Sequence, residues 1–342
     1  MNHVNVGLVG YGVAGAAFHA PLIAAEPRLS LKSVVTSRAE KLAADHPGAR
    51  AVPDLDAVLA DKEIGLVVIA TPNDTHAPFA RAALEAGKAV VVDKPFTPTV
   101  AEAEGLVALA AEKGLPLGVF HNRRWDDGFL TVRRLLADGA LGTPAHYEAH
   151  FDRFRPSIKP GWREEGGEGS GLFYDLGPHL VDQALVLFGK PRAVTADLAR
   201  QRPGVQVDDW FHLVLDYGPL RVILHAGMLT CLPGAVLTVH GTGGSYVKYG
   251  LDPQEAVLRA GGRPGPGDWA PTTEHGTLHL PDGGSRVVRT EPGDYPAFYG
   301  GVAASLLDGT PMPVPGEDAV AVMRVIDAAR RSAAEGRRVE MA

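Results

Sequence analysis

Short apolar runs alternate with stretches of helical periodicity over the first 120 residues. "VNVGLVG" (4–10), "LKSVV" (31–35), "GLVVIAT" (65–71), "KAVVVD" (88–93) and "PLGVF" (116–120) read as strands. "AAFHAPLIAA", "RAEKLAADH", "LDAVLAD", "THAPFARAALEAG" and "VAEAEGLVALAAEKG" read as the helices between them. Continuous Val/Ile runs separated by helices mark parallel strands buried on both faces. The pattern predicts a doubly wound α/β domain over residues 1–121.

From residue 122 the pattern changes. A helix is predicted near "FLTVRRLLADG", and a second at "GPHLVDQALVLFG". Then "TPAHYEAHFDRF", "PRAVTADLARQ", "DDWFHLVLDYG", "LRVILHAGML" and "AVLTVHG" show partial alternation with Gly, Pro or Asp at their joints. Consecutive strands with short joints predict a large open mixed or antiparallel sheet, hence an α+β domain over 122–342. "YPAFYGGVAASLLDG" and "GEDAVAVMRVIDAARRSAAEG" read as two closing helices, and the Gly/Pro-rich "RAGGRPGPGDWAP" (259–271) as a surface loop.

Composition narrows the function. The 342 residues are 45% hydrophobic and 21% charged, with a net charge of −7. That is globular composition, and an acidic chain without a Lys/Arg-rich run suits neither nucleic acid nor an anionic membrane. The one cysteine, Cys231, excludes an intramolecular disulfide. No basic, apolar leader precedes the first strand, and the apolar runs are strand-sized, so a cytoplasmic protein is expected. The 13 histidines invite a metal reading, but HExxH is absent and no cysteine set could help, so no metal site is expected.

Gly10, Gly12 and Gly15 form G-x-G-x-x-G between the first strand and its helix. In that position the first glycine makes the tight turn, the second admits a pyrophosphate and the third lets helix and strand approach. The helix N-terminus adds free N–H groups and partial positive charge. An acidic residue at the end of the second strand would hold the ribose 2′-OH of NAD. The sequence there is "VVTSRAEK", with Ser37 and Arg38 in place of the acid. A hydroxyl and a guanidinium suit a 2′-phosphate, so NADP is favoured, with NAD as the alternative if Arg38 is only a solvated helix-start residue.

Three further groups of residues carry candidate chemistry. Lys94 in "VVVDKPF" and the segment "TPNDTH" (71–76) both follow strand C-termini, where ligand crevices of such sheets lie. Asp175 and His179 stand four apart near a helix start, and Pro178 places that start near Asp175. A neutral base beside an orienting carboxylate and a capped, packed first turn fit this spacing equally. Asn122 and Arg123 follow the last strand of the first domain, and Arg153, Arg155, Lys159 and Arg163 crowd a segment ending in "GWREEGGEGSG". That segment is either a loop over a site or a solvated basic patch.

Taken in order, the glycine loop, "TPNDTH", Lys94-Pro95 and the D-x-x-x-H pair resemble the Gfo/Idh/MocA oxidoreductases along nearly the whole chain. "FDRFRP…GWREE…GSGLFYDLGPHLVDQAL" further resembles the branch of NADP-dependent scyllo-inositol and related polyol dehydrogenases. The family's Glu-Lys-Pro reads Asp93-Lys94-Pro95 here. The resemblance implies that Lys94, Asp175 and His179 are catalytic, and that Trp162 and Arg163 lie near the cofactor. Cofactor contacts are expected from Gly10, Gly12, Val13, Ala14, Gly15, Ser37, Arg38, Thr71, Pro72, Asn73, His76, Asp93, Lys94 and Asn122. Substrate contacts are expected from Arg123, Arg153, Arg155, Asp175 and His179. The implied activity is NADP-dependent hydride transfer to or from a secondary alcohol or ketone of a cyclic polyol or sugar. A reductase of anhydro-, keto- or acidic sugars and a non-catalytic NAD(P) sensor are the alternatives. A homodimer or higher homo-oligomer through the C-terminal sheet is expected, with a small-molecule partner and no nucleic acid or membrane.

Overall fold

The apolar runs of the first 120 residues become a six-stranded sheet. Its strands are β1 (Val4–Val9), β2 (Leu29–Val35), β3 (Arg50–Val52), β4 (Ile64–Ile69), β5 (Ala89–Val92) and β6 (Leu117–Val119). In the computed structural model, which describes residues 3–159, 161, 164–167 and 169–341, they lie in the order β3-β2-β1-β4-β5-β6. Every pairing is parallel. The order reverses between β1 and β4, and the C-terminal ends of those strands open a crevice. Helices α1 (Ala20–Ala25), α2 (Ala39–Asp45), α3 (Leu55–Leu59), α4 (His76–Glu85) and α5 (Val100–Lys113) connect the strands. Two local features depart from the sequence pattern. The segment Ala14–His19 is a π-helical turn rather than the start of one α-helix. The short β3 carries one buried residue and therefore no readable periodicity.

Beyond Trp125 follow α6 (Asp127–Ala137), β7 (Pro144–His150), α7 (Leu172–Phe188), β8 (Ala193–Ala199), β9 (Trp210–Tyr217) and β10 (Leu220–Gly227). Then come β11 (Leu237–Gly241), β12 (Gly244–Lys248), α8 (Gln254–Arg259), β13 (Gly276–His279), β14 (Ser285–Val288), α9 (Pro296–Asp308), α10 (Gly316–Glu335) and β15 (Val339–Glu340). The strands form a nine-stranded sheet ordered β14-β13-β12-β11-β7-β10-β9-β8-β15. It is mixed: β7 and β10 run parallel, and the other neighbours are antiparallel.

The chain forms two compact units. One takes the chain through Trp125 together with Pro253–Ala270 and Asp294–Val320; the other takes Asp126–Asp252, Pro271–Gly293 and the chain from Ala321. The first unit therefore draws α8 and α9 from late in the sequence. Leu258 of α8 and Phe298, Tyr299 and Val302 of α9 join Val6, Leu8, Tyr11 and Phe120 in one buried cluster.

In the second unit α7 differs from its sequence reading. It begins at Leu172, and Pro178 lies inside it rather than in its first turn. An interior proline removes one intrahelical hydrogen bond and costs about 3 kcal/mol. Partners distant in sequence offset this at the N-terminus. Gly171 adopts φ +98°, and Asp208 accepts the Phe173 N–H at 2.6 Å while its carbonyl accepts the Leu172 N–H at 2.8 Å. Burial pushes the Asp208 carboxyl above its ordinary range, opposed by the Phe173 N–H.

The central strands of the second sheet alternate. Tyr147, Ala149, Leu213, Leu215, Val222, Leu224, Val239 and Tyr246 are buried. The intervening residues on β7, β9 and β10 place Glu148, His150, His212 and His225 on the opposite face, with Asp152 just beyond β7. His150 Nε2 lies 2.7 Å from Glu148 and its Nδ1 3.2 Å from Asp152, while His225 Nε2 lies 3.3 Å from Asp152. His146 contacts the other Glu148 oxygen at 3.2 Å. Burial opposes the His150 charge, but hydrogen bonds to Asp152 and Glu148 outweigh it and raise the pKa. Burial likewise opposes the charge of Asp152, yet its two histidines hold it well below the usual carboxylate range.

Two outcomes follow from these contacts. A Cβ at Gly15 would sit 2.1 Å from the Gly10 carbonyl oxygen. Gly15→Ala should therefore lower the denaturation free energy by at least ~2 kcal/mol, since overpacking exceeds the ~1 kcal/mol helix gain. A denaturant midpoint at or above wild type would refute it. The His150 contribution is complete below its unfolded pKa of about 6.5 and disappears as pH rises through its higher folded value. His150→Gln should accordingly cost more stability at pH 6 than at pH 8.5, checked by thermal melts at both; equal losses would show that the charge contributes nothing.

Candidate functional site

The glycine loop of the first unit is built on close backbone approach. Gly10 has φ +100°, and a Cβ there would lie 2.4 Å from the Ala70 carbonyl oxygen at the end of β4. Gly15 passes against Gly10 itself. A Cβ at Gly12, by contrast, would meet nothing within 4 Å. The three glycines thus have three reasons: a turn, an open approach and close helix packing. Gly12, Val13 and Ala14 are accessible where the next helical turn begins, and Val13 is 56% exposed. This open cradle fits a dinucleotide pyrophosphate, which the free N–H groups of the turn would receive.

Two loops border the same edge of the sheet. Thr71 Oγ1 accepts from the Thr75 hydroxyl at 2.6 Å, and Pro72 caps the single turn Asn73–Thr75. Asn73 is buried. His76 is fully buried, with Nδ1 2.9 Å from the Pro95 carbonyl and Nε2 3.0 Å from that of Thr71. Burial lowers its pKa, and the neutral ring, with one N–H, donates to one of these carbonyls while packing between the Thr71 and Lys94 loops. Half-buried Lys94 follows Asp93, whose carboxylate accepts the Lys94 N–H at 2.8 Å. Asp93 also lies 3.6 Å from His19 Nε2, and His19 Nδ1 is 2.6 Å from the Tyr299 hydroxyl. Burial works against the Asp93 charge, but His19, Lys94 and His76 together hold its pKa below the usual range. His19 and Tyr299 carried no sequence signal, because 280 residues separate them.

At the end of β2, Ser37 and Arg38 are exposed, and the Arg38 N–H donates to Thr36 Oγ1 at 3.0 Å. The first carboxylate beyond them is Glu40 in the first turn of α2. Asn122 and Arg123 lie in a 3₁₀ turn after β6 and are both buried. Arg123 pairs with Glu255 of α8, and Gln254 bridges the Trp125 carbonyl and the Tyr295 N–H. Here Arg123 joins distant segments of the first unit.

In the second unit Asp175 and His179 stand one turn apart on α7, as their spacing predicted. Because α7 starts at Leu172, His179 lies beyond its first turn and gains little from the helix dipole, which falls off within that turn. His179 is 6% exposed. Asp175 is half-buried, 3.9 Å from Arg153 Nη1. The segment after β7 is fixed by its backbone: Arg153 N–H donates to Gly227 at 2.9 Å and Arg155 N–H to Met228 at 2.7 Å. Arg155 is exposed. Sequence reasoning missed Arg202, whose side chain is 1% exposed. It pairs with Asp209 at 2.8 Å and Glu164 at 3.1 Å and donates to the carbonyls of Arg155 and Ser157. Trp162 and Arg163 lie outside the described residues.

The sheet also gathers donors that no local spacing announced. Atoms of His150, Asp152 and His225 lie within 4.8 Å of one another, a set able to approach a divalent cation. Their mutual hydrogen bonds already account for their arrangement.

Known proteins match along the full length. The profile of the Gfo/Idh/MocA oxidoreductase family's NAD-binding Rossmann fold matches residues 4–121, and that of its C-terminal alpha/beta domain matches 133–341. The uncharacterized oxidoreductase YdgJ of Escherichia coli (strain K12) is 50% identical over 335 residues, 97% of each chain. The scyllo-inositol 2-dehydrogenase (NADP(+)) IolW of Bacillus subtilis (strain 168) is 39% identical over 341 residues, covering 98% of this chain and 95% of its own. The solved structure of yvaA from Bacillus subtilis superposes with a TM-score of 0.97 at 38% identity, covering 100% of this chain and 99% of its own. An open glycine cradle at the switch point of a parallel sheet, a mixed second sheet and these full-length matches lead to one assignment: the chain belongs to the Gfo/Idh/MocA family of oxidoreductases.

Proposed function

We propose that this oxidoreductase transfers hydride between NADP and a secondary alcohol or ketone of a cyclic polyol or sugar, with an inositol-like substrate. The observation that carries the chemistry is the α7 pair: a buried His179 one turn from Asp175, which faces a guanidinium. The similarity to IolW supports the polyol class, and the carboxylate-free end of β2 supports NADP over NAD.

The nicotinamide, when bound, supplies the hydride acceptor or donor. The chain's own residues handle the proton and the charge. In oxidation, an imidazole nitrogen of His179 takes the substrate hydroxyl proton as general base. The Lys94 ammonium holds the same oxygen and stabilises negative charge developing on it. Asp175 orients the imidazole and tunes the field around it. In reduction the imidazolium of His179 returns the proton to the carbonyl oxygen. Asp93 remains ionised under the influence of His19 and Lys94, which fixes the Lys94 backbone. Arg202 holds the segment carrying Arg153 and Arg155. Those two arginines favour a second reading, in which the substrate carries an acidic group.

The open face of the nine-stranded sheet is the proposed contact with further copies of the chain. No described helix is long and apolar enough to cross a membrane.

A screen at 340 nm with NADP and NAD against inositols, aldoses, anhydro-sugars and sugar acids tests the class directly. Turnover of a polyol with NADP is expected; tight NADP binding without turnover across the panel would favour a sensor. General acid–base help is worth ~10²–10⁴-fold. His179→Ala should therefore lower kcat at least ~10²-fold while NADP binding, followed by fluorescence titration, stays near wild type. Near-normal turnover of this variant would remove His179 from the chemistry.

A further inference from the structure

The first unit's late segments reach the end of β2. Leu258 of α8 lies in the same buried cluster as Tyr11, the residue between Gly10 and Gly12. Arg259 sits 5.2 Å over the Phe18 ring of the turn that follows the glycine loop. The chain then continues into the exposed Gly/Pro-rich loop, where Arg263 Nη2 donates to the Asp45 carbonyl at the end of α2, at 2.8 Å.

The charges around α2 are already sorted. The Asp45 carboxylate accepts from the Tyr11 hydroxyl at 2.8 Å and pairs with Lys41 at 2.9 Å. That carboxylate and Lys41 therefore neutralise each other. Arg38 and Arg263 differ: among the described residues neither forms an ion pair, and both are exposed. They stand at opposite ends of a helix about 10 Å long. Tyr11 lies within the field of both, which opposes the burial that raises its pKa. Two unpaired guanidiniums flanking one short helix, with no carboxylate left free at Asp45, make a local field suited to a dianion.

We propose that Arg263 is a second residue selecting for the 2′-phosphate, brought from the α8 loop to act with Arg38; this rests on the NADP reading. The Asp45 carbonyl holds only one of the guanidinium's donors, and it is a neutral acceptor. A phosphate makes stronger, charge-assisted bonds, so Arg263 exchanges the carbonyl for the phosphate when the cofactor binds.

Isothermal titration of wild type, Arg263→Ala, Arg263→Lys and Arg38→Ala with NADP, NAD, adenosine 2′-monophosphate and adenosine 5′-monophosphate tests it. Arg263→Ala should weaken NADP and the 2′-monophosphate about 10-fold. NAD and the 5′-monophosphate should stay within ~2-fold, and Arg263→Lys should retain part of the preference. The melting midpoint should not move, because the side chain is exposed. Equal weakening of NADP and NAD would make Arg263 a loop prop and overturn the proposal, as would no change in either. If Arg38→Ala lowers NADP affinity selectively and Arg263→Ala does not, the NADP reading stands and the role of Arg263 falls. If wild type binds NAD as tightly as NADP, both fall.

Discussion

Everything in the first unit depends on how closely the backbone passes over itself at the glycine loop. Gly10 lies against the Ala70 carbonyl and Gly15 against Gly10, at separations that a Cβ could not occupy. This contact sits where β1 pairs with β4 and the strand order reverses. It aims the following helical turn at the crevice, so its N–H groups face an incoming phosphate. It also sets the height of the Thr71 loop, and His76 packs between the carbonyl of that loop and the Pro95 carbonyl of the Lys94 loop. Adding one methyl inside this contact would force the backbone to move.

A second theme is the use of buried polar groups to place functional ones. Asp93, His19 and Tyr299 form a chain behind Lys94. Arg202, Asp209 and Glu164 form another behind Arg153 and Arg155. Buried ion pairs are weak evidence of stability, because desolvation consumes most of the attraction. Breaking one is costly all the same, since a lone charge stays buried. Their value here is positional: they allow one geometry for backbone that carries candidate site residues. The family's Glu becomes Asp93 in this chain, and the contacts with the Lys94 N–H and with His19 are made at 2.8 and 3.6 Å by the shorter carboxylate.

The α7 helix shows where local rules and packing part. Pro178 alone points to a helix start near Asp175, because an interior proline is unfavourable. The helix starts a turn earlier because Gly171 and Asp208 satisfy its first N–H groups from outside. The spacing of Asp175 and His179 survives this shift, so the pair remains on one face.

The sequence by itself determined the six-stranded parallel sheet except its short β3, the glycine cradle, the carboxylate-free end of β2 and the i, i+4 pair on α7. Each is a local pattern, readable because a strand, a turn or a helix repeats over a few residues. Only the tertiary structure decided that α8 and α9 complete the first unit's core, that His19 and Tyr299 stand behind Asp93, and that Arg202 clamps the segment after β7. The short β12, β13, β14 and β15 and the gathered His150, Asp152 and His225 belong with these. Such contacts join residues up to 280 positions apart. Their cause is the burial of a shared core and the pairing of strands, which leave no periodic trace in the segments they join.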